Sequence, residues 1–218
     1  MNNIKAVLFD LDGTLADTAA DLNSALNQLL IEENLAPLPL EKIKPIVGGG
    51  SRSLIEFGLK ISAQDPRYPE LRKRFFANYE KYLTQQTTFF TGITEVLNFL
   101  DQEKIIWGII TNKPARFTQP LLEHLKLSSR AHCVISGDTL QHQKPHPAQL
   151  EYACEVLQLQ PENCIYIGDM LTDVMASRAA NMPALVALYG YIPADQDPTE
   201  WQADGYLKRA TDLIGWLT

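Results

Sequence analysis

The chain has little that would tie it to an oxidising compartment, a membrane or a nucleic acid. Its three cysteines, Cys133, Cys154 and Cys164, are odd in number and include no CxxC spacing. Neither a disulfide framework nor a zinc site is implied, and small buried hydrophobes are the reading that remains. No apolar run approaches the length of a membrane span, and the N-terminal MNNIKAVLFD meets an acid too early for the apolar core of a signal peptide. Long Lys/Arg clusters are missing too, and the formal net charge of -7 argues against a nucleic-acid footprint. Internal repeats and low-complexity tracts are lacking. These absences predict a cytoplasmic globular protein with neither nucleic acid nor membrane among its partners. An anionic ligand would then rely on a few local cations.

What the chain does contain is a series of short apolar, β-branched runs: IKAVLF at 4–9, IIWGII at 105–110, HCVIS at 132–136, CIYIG at 164–168 and ALVAL at 184–188. Helical patterns separate them, and that alternation predicts an α/β fold, a parallel sheet with helices on both faces. Each run ends beside polar residues suited to chemistry, where ligands of open α/β sheets bind. Between the first and second runs lie roughly 95 residues, far more than a crossover helix needs, so an inserted unit is expected. Within it DTAADLNSALNQLLIEEN and PELRKRFFANYEKYL read as amphipathic helices, and PIVGGGSRSLIEF as a glycine break opening into a third. Phe75, Phe76, Tyr79 and Tyr82 read as this unit's own core. The tail YGYIPADQDPTEWQADG reads as a turn-rich excursion before a last short helix.

The first run enters AVLFDLDGTLADT, with Asp10 and Asp12 two residues apart. On an extended strand they would face the same side and repel, so a cation is expected between them. A calcium loop does not fit, because its obligatory Gly would fall at Leu15 and its closing Glu at Asp21. Partners stand at the other strand ends. Thr111 and Asn112 offer a hydroxyl, an amide and backbone N–H groups to phosphate oxygens. Lys144 lies in QKPHP, where Pro145 is expected to start a helix, and Lys113 and Arg116 add positive charge nearby in sequence. IGDMLTD brings Asp169 and Asp173. So many acids in one volume call for a hard divalent cation, and oxygen ligands favour magnesium, Mg2+.

The ordered set DLDGT, TN, KP and GDMLTD resembles the four motifs of the haloacid dehalogenase superfamily of phosphohydrolases, over residues 6 to about 190. The resemblance implies a Rossmann-like parallel sheet core, residues 1–15 and 91–218, with an inserted α-helical cap at 16–90. It implies that Asp10 is a nucleophile forming an aspartyl-phosphate, and that Asp12 is the acid and then the base. Magnesium would be held by Asp10, the Asp12 main-chain carbonyl and Asp169, with Lys144 and Thr111 stabilising the phosphoryl oxygens. Asp173 would orient a bound water or Lys144. Many relatives follow the first acid of the last motif with Asp or Ser, whereas this chain has Met170.

For substrate, VGGGSR points to a loop of the cap, with Gly49 and Gly50 allowing close approach and Ser51 and Arg52 offering donors. TNKPARFTQPLLEHL with KPHP and YGY is similar to bacterial phosphoglycolate phosphatases. GGGSR, Trp107 and the tail look like a sister branch acting on N-acetylmuramic acid 6-phosphate. The expected partner is thus a small phosphorylated metabolite. A sugar phosphomutase and an inactive phosphometabolite-binding module rank below a phosphatase. Oligomeric state is not readable, and a monomer is compatible with a closing cap.

Overall fold

The short β-branched runs become strands in a computed structural model that describes residues 4–218. In chain order the elements are β1 (Ala6–Phe9), β2 (Ala16–Asp17), α1 (Ala19–Glu32), α2 (Leu40–Ile43), α3 (Gly50–Leu59), α4 (Tyr68–Tyr82), β3 (Thr88–Phe89), α5 (Ile93–Gln102), β4 (Ile106–Ile110), α6 (Ala115–His124), β5 (Cys133–Ile135), α7 (Ala148–Leu157), β6 (Cys164–Gly168), α8 (Leu171–Ala179), β7 (Ala184–Ala187), β8 (Gly205–Leu207) and α9 (Asp212–Leu217). Six strands form one sheet in the order β5-β4-β1-β6-β7-β8, every neighbouring pair parallel. The chain starts at the centre, steps outward through β4 to β5, then crosses to β6 and steps outward the other way. That reversal is the Rossmann-type order and opens a crevice beyond the ends of β1 and β6.

Alternation along the strands sorts the two faces. Val7 and Phe9 of β1, Trp107 and Ile109 of β4, and Ile165 and Ile167 of β6 pack with Val96, Leu97 and Leu100 of α5 and Leu213 of α9. Ala6, Leu8, Ile110, Cys164 and Tyr166 point the other way, against Leu150 and Ala153 of α7 and Ala176 of α8. A sheet buried on both faces explains why the runs are almost continuously apolar. Each Val, Leu or Phe side chain so placed contributes ~1.5–3 kcal/mol relative to exposure. All three cysteines are free and buried. Among the described residues no helix is long and apolar enough to cross a membrane.

The long insertion builds its own apolar cluster, in which Leu26 and Leu29 of α1, Leu54 and Ile55 of α3, and Leu71, Phe75 and Tyr79 of α4 meet. Phe75 and Tyr79 thus serve the unit's core as the aromatic pattern predicts. Phe117 of α6 and Tyr191 join the cluster from the sheet side. Arg74 of α4 ties to Glu32 at 2.8 Å and Glu33 at 2.6 Å at the end of α1. The chain leaves and returns side by side: β2 and β3 pair antiparallel, with Asp17 opposite Thr88. Buried Asp21 accepts from the amides of Gln86 and Thr87, at 2.9 and 3.1 Å, and from the Thr87 hydroxyl at 2.7 Å.

Three expectations need correction. Pro145 does not start a helix; the chain turns through Pro145–Pro147 and α7 begins at Ala148, the first residue after Pro147. The turn-rich tail does not lead straight to the last helix, because Gly205–Leu207 first adds a sixth strand to the edge of β7. Asp10 and Asp12 do not share an extended strand, since β1 ends at Phe9 and Asp12 is reached through a turn.

Candidate active site

The ladder between β1 and β6 sets the first distance. Phe9 pairs with Ile167, and the Asp10 amide donates to the Ile167 carbonyl at 2.8 Å, so the residues that follow the two strands emerge together. Gly13 then turns the chain with φ +91, and a Cβ there would collide with the Asp169 carboxylate. Only glycine suits both conditions, the left-handed backbone and the close approach. Asp169 is fully buried and accepts from the Thr14 hydroxyl at 3.1 Å and the Tyr191 amide at 2.8 Å.

Lys144 is the hub. Its buried Nζ donates to Asp10 Oδ1 at 2.8 Å, to Asp173 Oδ1 at 2.7 Å and to Tyr166 Oη at 2.7 Å, while the Tyr166 hydroxyl donates to the Ile110 carbonyl. Burial disfavours the ammonium, yet Asp10 and Asp173 outweigh it and raise the Lys144 pKa. Asn112 holds this lysine in place: its carboxamide donates to the Lys144 carbonyl at 2.9 Å and accepts from the Lys144 amide at 3.1 Å. Gln149 donates to the Thr111 carbonyl and also accepts from the Lys144 amide. Sequence reasoning placed Asn112 on substrate; the structure gives its carboxamide a positioning task as well.

Oxygen atoms of Asp10, Asp169 and Asp173 lie within 4.8 Å of one another. One ammonium does not balance three carboxylates. Burial pushes Asp10 up to about 7 against the pull of Lys144, with Asp173 adding to the rise, and burial with the charge of Asp10 holds Asp169 well above the usual carboxylate range. Hard oxygen donors carrying a surplus of two negative charges are what a divalent cation such as magnesium fits. Both Asp173 oxygens already have partners, since Oδ2 accepts from the Met170 amide at 3.0 Å. Met170 caps α8, and its thioether lies where a Cβ on Gly48 would be. This residue therefore links the acidic motif to the glycine loop of the helical unit.

Asp12 has a separate cation. Lys113 Nζ donates to Asp12 Oδ1 at 2.9 Å and to Tyr79 Oη at 2.8 Å, and the Thr18 hydroxyl donates to the same Asp12 oxygen. Burial opposes the Lys113 charge, but Asp12 and Tyr79 overcome it and raise its pKa. Burial likewise pushes the Tyr79 hydroxyl up to about 12. Lys113, expected to add positive charge near the site, does so beneath α4, paired with Asp12.

Above these groups lies a cavity of about 290 Å³, floored by Asp10, Asp12, Thr111, Asn112 and Lys144 and roofed by Gly48–Arg52 and α4. Gly49, Gly50, Ser51 and Arg52 all line it, as does Asp173, while Asp169 sits beneath. Phe75, Phe76, Tyr79 and Phe117 form an aromatic wall, a second role for the first three, which were expected only as core. Arg52 is turned toward Glu56, 3.1 Å away on the next turn of α3. Thr14, Tyr166 and Tyr191 are the contributors that motif reading left out. Tyr191 also donates from its hydroxyl to Asp17 and accepts from the Ala19 amide, joining the start of the helical unit to the acid cluster.

Comparison with known proteins agrees with this geometry. The model of the haloacid dehalogenase-like hydrolases matches residues 7–187. The chain is 39% identical over 212 residues to a phosphoglycolate phosphatase of Xanthomonas campestris pv. campestris strain 8004, covering 96% of this chain and 94% of the relative. It is 32% identical over 214 residues to an N-acetylmuramic acid 6-phosphate phosphatase of Pseudomonas aeruginosa, covering 98% and 95%. Among solved structures, one from Haemophilus somnus 129PT, described as a predicted phosphoglycolate phosphatase, superposes with a TM-score of 0.89 at 24% identity over the whole of both chains. With a family model over most of its length and a relative at 39% identity over 96% of it, the chain belongs to the haloacid dehalogenase-like hydrolases.

Proposed function

We propose that this chain is a magnesium-dependent phosphatase that hydrolyses a small phosphomonoester through an aspartyl-phosphate on Asp10. The observation that carries the reading is the Lys144 ammonium bridging Asp10 and Asp173 directly below a cavity that also holds Asp12 and Thr111. Asp10 is fixed by that contact with its other oxygen free of any protein donor among the described residues. It attacks phosphorus in line, forming the O–P bond of an Asp10 acyl phosphate and breaking the bond to the leaving alkoxide. Asp12, in its protonated form, gives its proton to that alkoxide. As carboxylate it then takes a proton from the water that attacks the acyl phosphate, releasing inorganic phosphate and restoring Asp10. Lys144 and Thr111 stabilise the phosphoryl oxygens. Lys113 holds the Asp12 carboxyl in position through its 2.9 Å contact, and Tyr79 covers that pair.

Magnesium would be held by Asp10, Asp169 and the Asp12 main-chain carbonyl, and when bound it supplies positive charge to the phosphoryl group and offsets the acids. Asp173, with both oxygens engaged, holds Lys144. We assign residues 16–90 as a cap that closes over a core of 1–15 and 91–218, keeping bulk water out. The reading agrees with the separate apolar cluster of the helices and the paired β2 and β3.

The relatives favour 2-phosphoglycolate, converted to glycolate and phosphate, as the substrate. The volume and aromatic wall of the cavity favour the second reading, N-acetylmuramic acid 6-phosphate, because a two-carbon ester leaves that wall unused. The test is release of inorganic phosphate from an aryl phosphate and from both esters, with and without magnesium, in the native chain and in Asp10→Asn. Metal-independent release, or release that survives Asp10→Asn, defeats the proposal. Isomerisation without free phosphate, seen by phosphorus NMR, would make it a mutase instead.

A further inference from the structure

Four cations line the cavity, and three of them already face carboxylates: Lys144 faces Asp10 and Asp173, Lys113 faces Asp12, and Arg52 faces Glu56. Arg72 has no carboxylate partner among the described residues. Its Nε donates to Ser51 Oγ at 3.4 Å, and its guanidinium carbon lies 4.8 Å from the centre of the Phe76 ring. Stacking on an aromatic face and one hydrogen bond through Nε orient the group, and both terminal nitrogens are without a protein acceptor among the described residues. Arg116 lies 4.9 Å from the centre of the same ring, but outside the cavity lining and 3.6 Å from Glu80. In a chain of net charge -7, an oriented and unneutralised guanidinium in the cavity of the nucleophile calls for a ligand anion.

We infer that Arg72, seated on Phe76 and held by Ser51, binds a carboxylate carried by the leaving group of the phosphate ester and sets the preference for acid-bearing esters. The inference rests on the phosphatase reading above and adds the residue that reads the acid common to both proposed substrates. The phosphoryl end is served by Lys144 and Thr111 at the sheet, so Arg72, on α4, meets the opposite end of the same molecule. Its planar fork matches a carboxylate with two parallel N–H···O bonds. The two relatives, named for phosphoglycolate and N-acetylmuramic acid 6-phosphate, act on esters that carry such an acid, which supports the class without choosing between them.

The experiment compares kcat/KM for each acid ester with a partner that lacks only the acid-bearing group: 2-phosphoglycolate with ethyl phosphate, and N-acetylmuramic acid 6-phosphate with N-acetylglucosamine 6-phosphate. The native enzyme should prefer at least one acid by roughly tenfold or more, the size expected of a charge-assisted hydrogen-bonded contact. Arg72→Gln should erase that preference through KM, with kcat changed less than about twofold, because the contact is remote from the reacting atoms. Arg72→Lys should restore part of it, and Arg116→Gln, outside the cavity lining, should leave it intact. A preference that survives Arg72→Gln, an equal fall for both members of a pair, or a native enzyme indifferent to the acid overturns the assignment while the phosphatase reading stands. No phosphate from any ester, aryl phosphate included, overturns both.

Discussion

The sheet edge and the helical unit treat charge differently. At the ends of β1, β4 and β6 the charged groups are buried and neutralised by one another: Lys144 and Asp173 are each under a tenth exposed, and Lys113 has 7% of its side chain exposed beside Asp12. On the helical side the cavity charges are open to solvent, with Arg52 62% exposed in its side chain and its ion pair formed within a single helix. Buried, mutually fixed charges keep their strength and geometry, whereas exposed ones are screened and cheap to replace. The chemistry is therefore held by groups that tolerate no change, and selectivity by groups that do.

That contrast can be broken most decisively at Asp10. Asp10→Asn keeps the shape of the site and removes the nucleophile, and phosphate release should fall by about 10⁴-fold or more, in line with losses seen when a covalent nucleophile is deleted. Residual activity above that level would mean that the sheet edge is not the reacting side. Lys144→Ala comes next, because Asp10 and Asp173 lose their shared ammonium in a buried site. Destabilisation of about 3–5 kcal/mol is expected in urea unfolding, with a fall in kcat. Added magnesium should recover part of that stability, since a dication meets the same excess of negative charge.

Tyr79→Phe tests the boundary between the two regions. It removes a single hydroxyl that accepts from Lys113 across the cavity, and a cost of about 0.5–1.5 kcal/mol is expected, or a few-fold in kcat with KM nearly constant. A shift in KM alone would place Tyr79 with the selectivity groups. Arg52→Ala should have the smallest effect. Its pair with Glu56 is exposed and screened by solvent, so kcat/KM for either ester should change by less than about threefold and the urea midpoint should stay in place. A large change in the ratio of the two esters would move the glycine loop into direct substrate contact.

The same contrast explains which parts were legible from sequence. Interior strands read clearly because burial on both faces demands an unbroken apolar run, and the residue that follows each run falls at the crevice by topology alone. Asp10, Thr111 and Asp169 were accessible in that way. β8 escaped because three residues at a sheet edge need no such run, and β2 and β3 because two-residue strands carry no period. Tyr191 was invisible for another reason: its contribution to Asp169 is a backbone N–H, which any residue but proline possesses. The charge of Lys113 near the site was legible, but not its cover, which comes from Tyr79, 34 positions away and in the other region. Pro145 misled because the segment offers two prolines that could open a helix, and the second one does.

The pairing of β2 with β3 has a consequence for how such a molecule diversifies. Because the strand leading out and the strand leading back lie in one short ladder, clipped by Asp21 to Gln86 and Thr87, everything between them hangs from a single doorway. A foreign segment whose ends meet at the same spacing could be spliced there without stretching the sheet, as insertions into compact domains generally require. New leaving groups would then be reached by exchanging one modular piece of gene, while the machinery that cleaves the ester is inherited untouched.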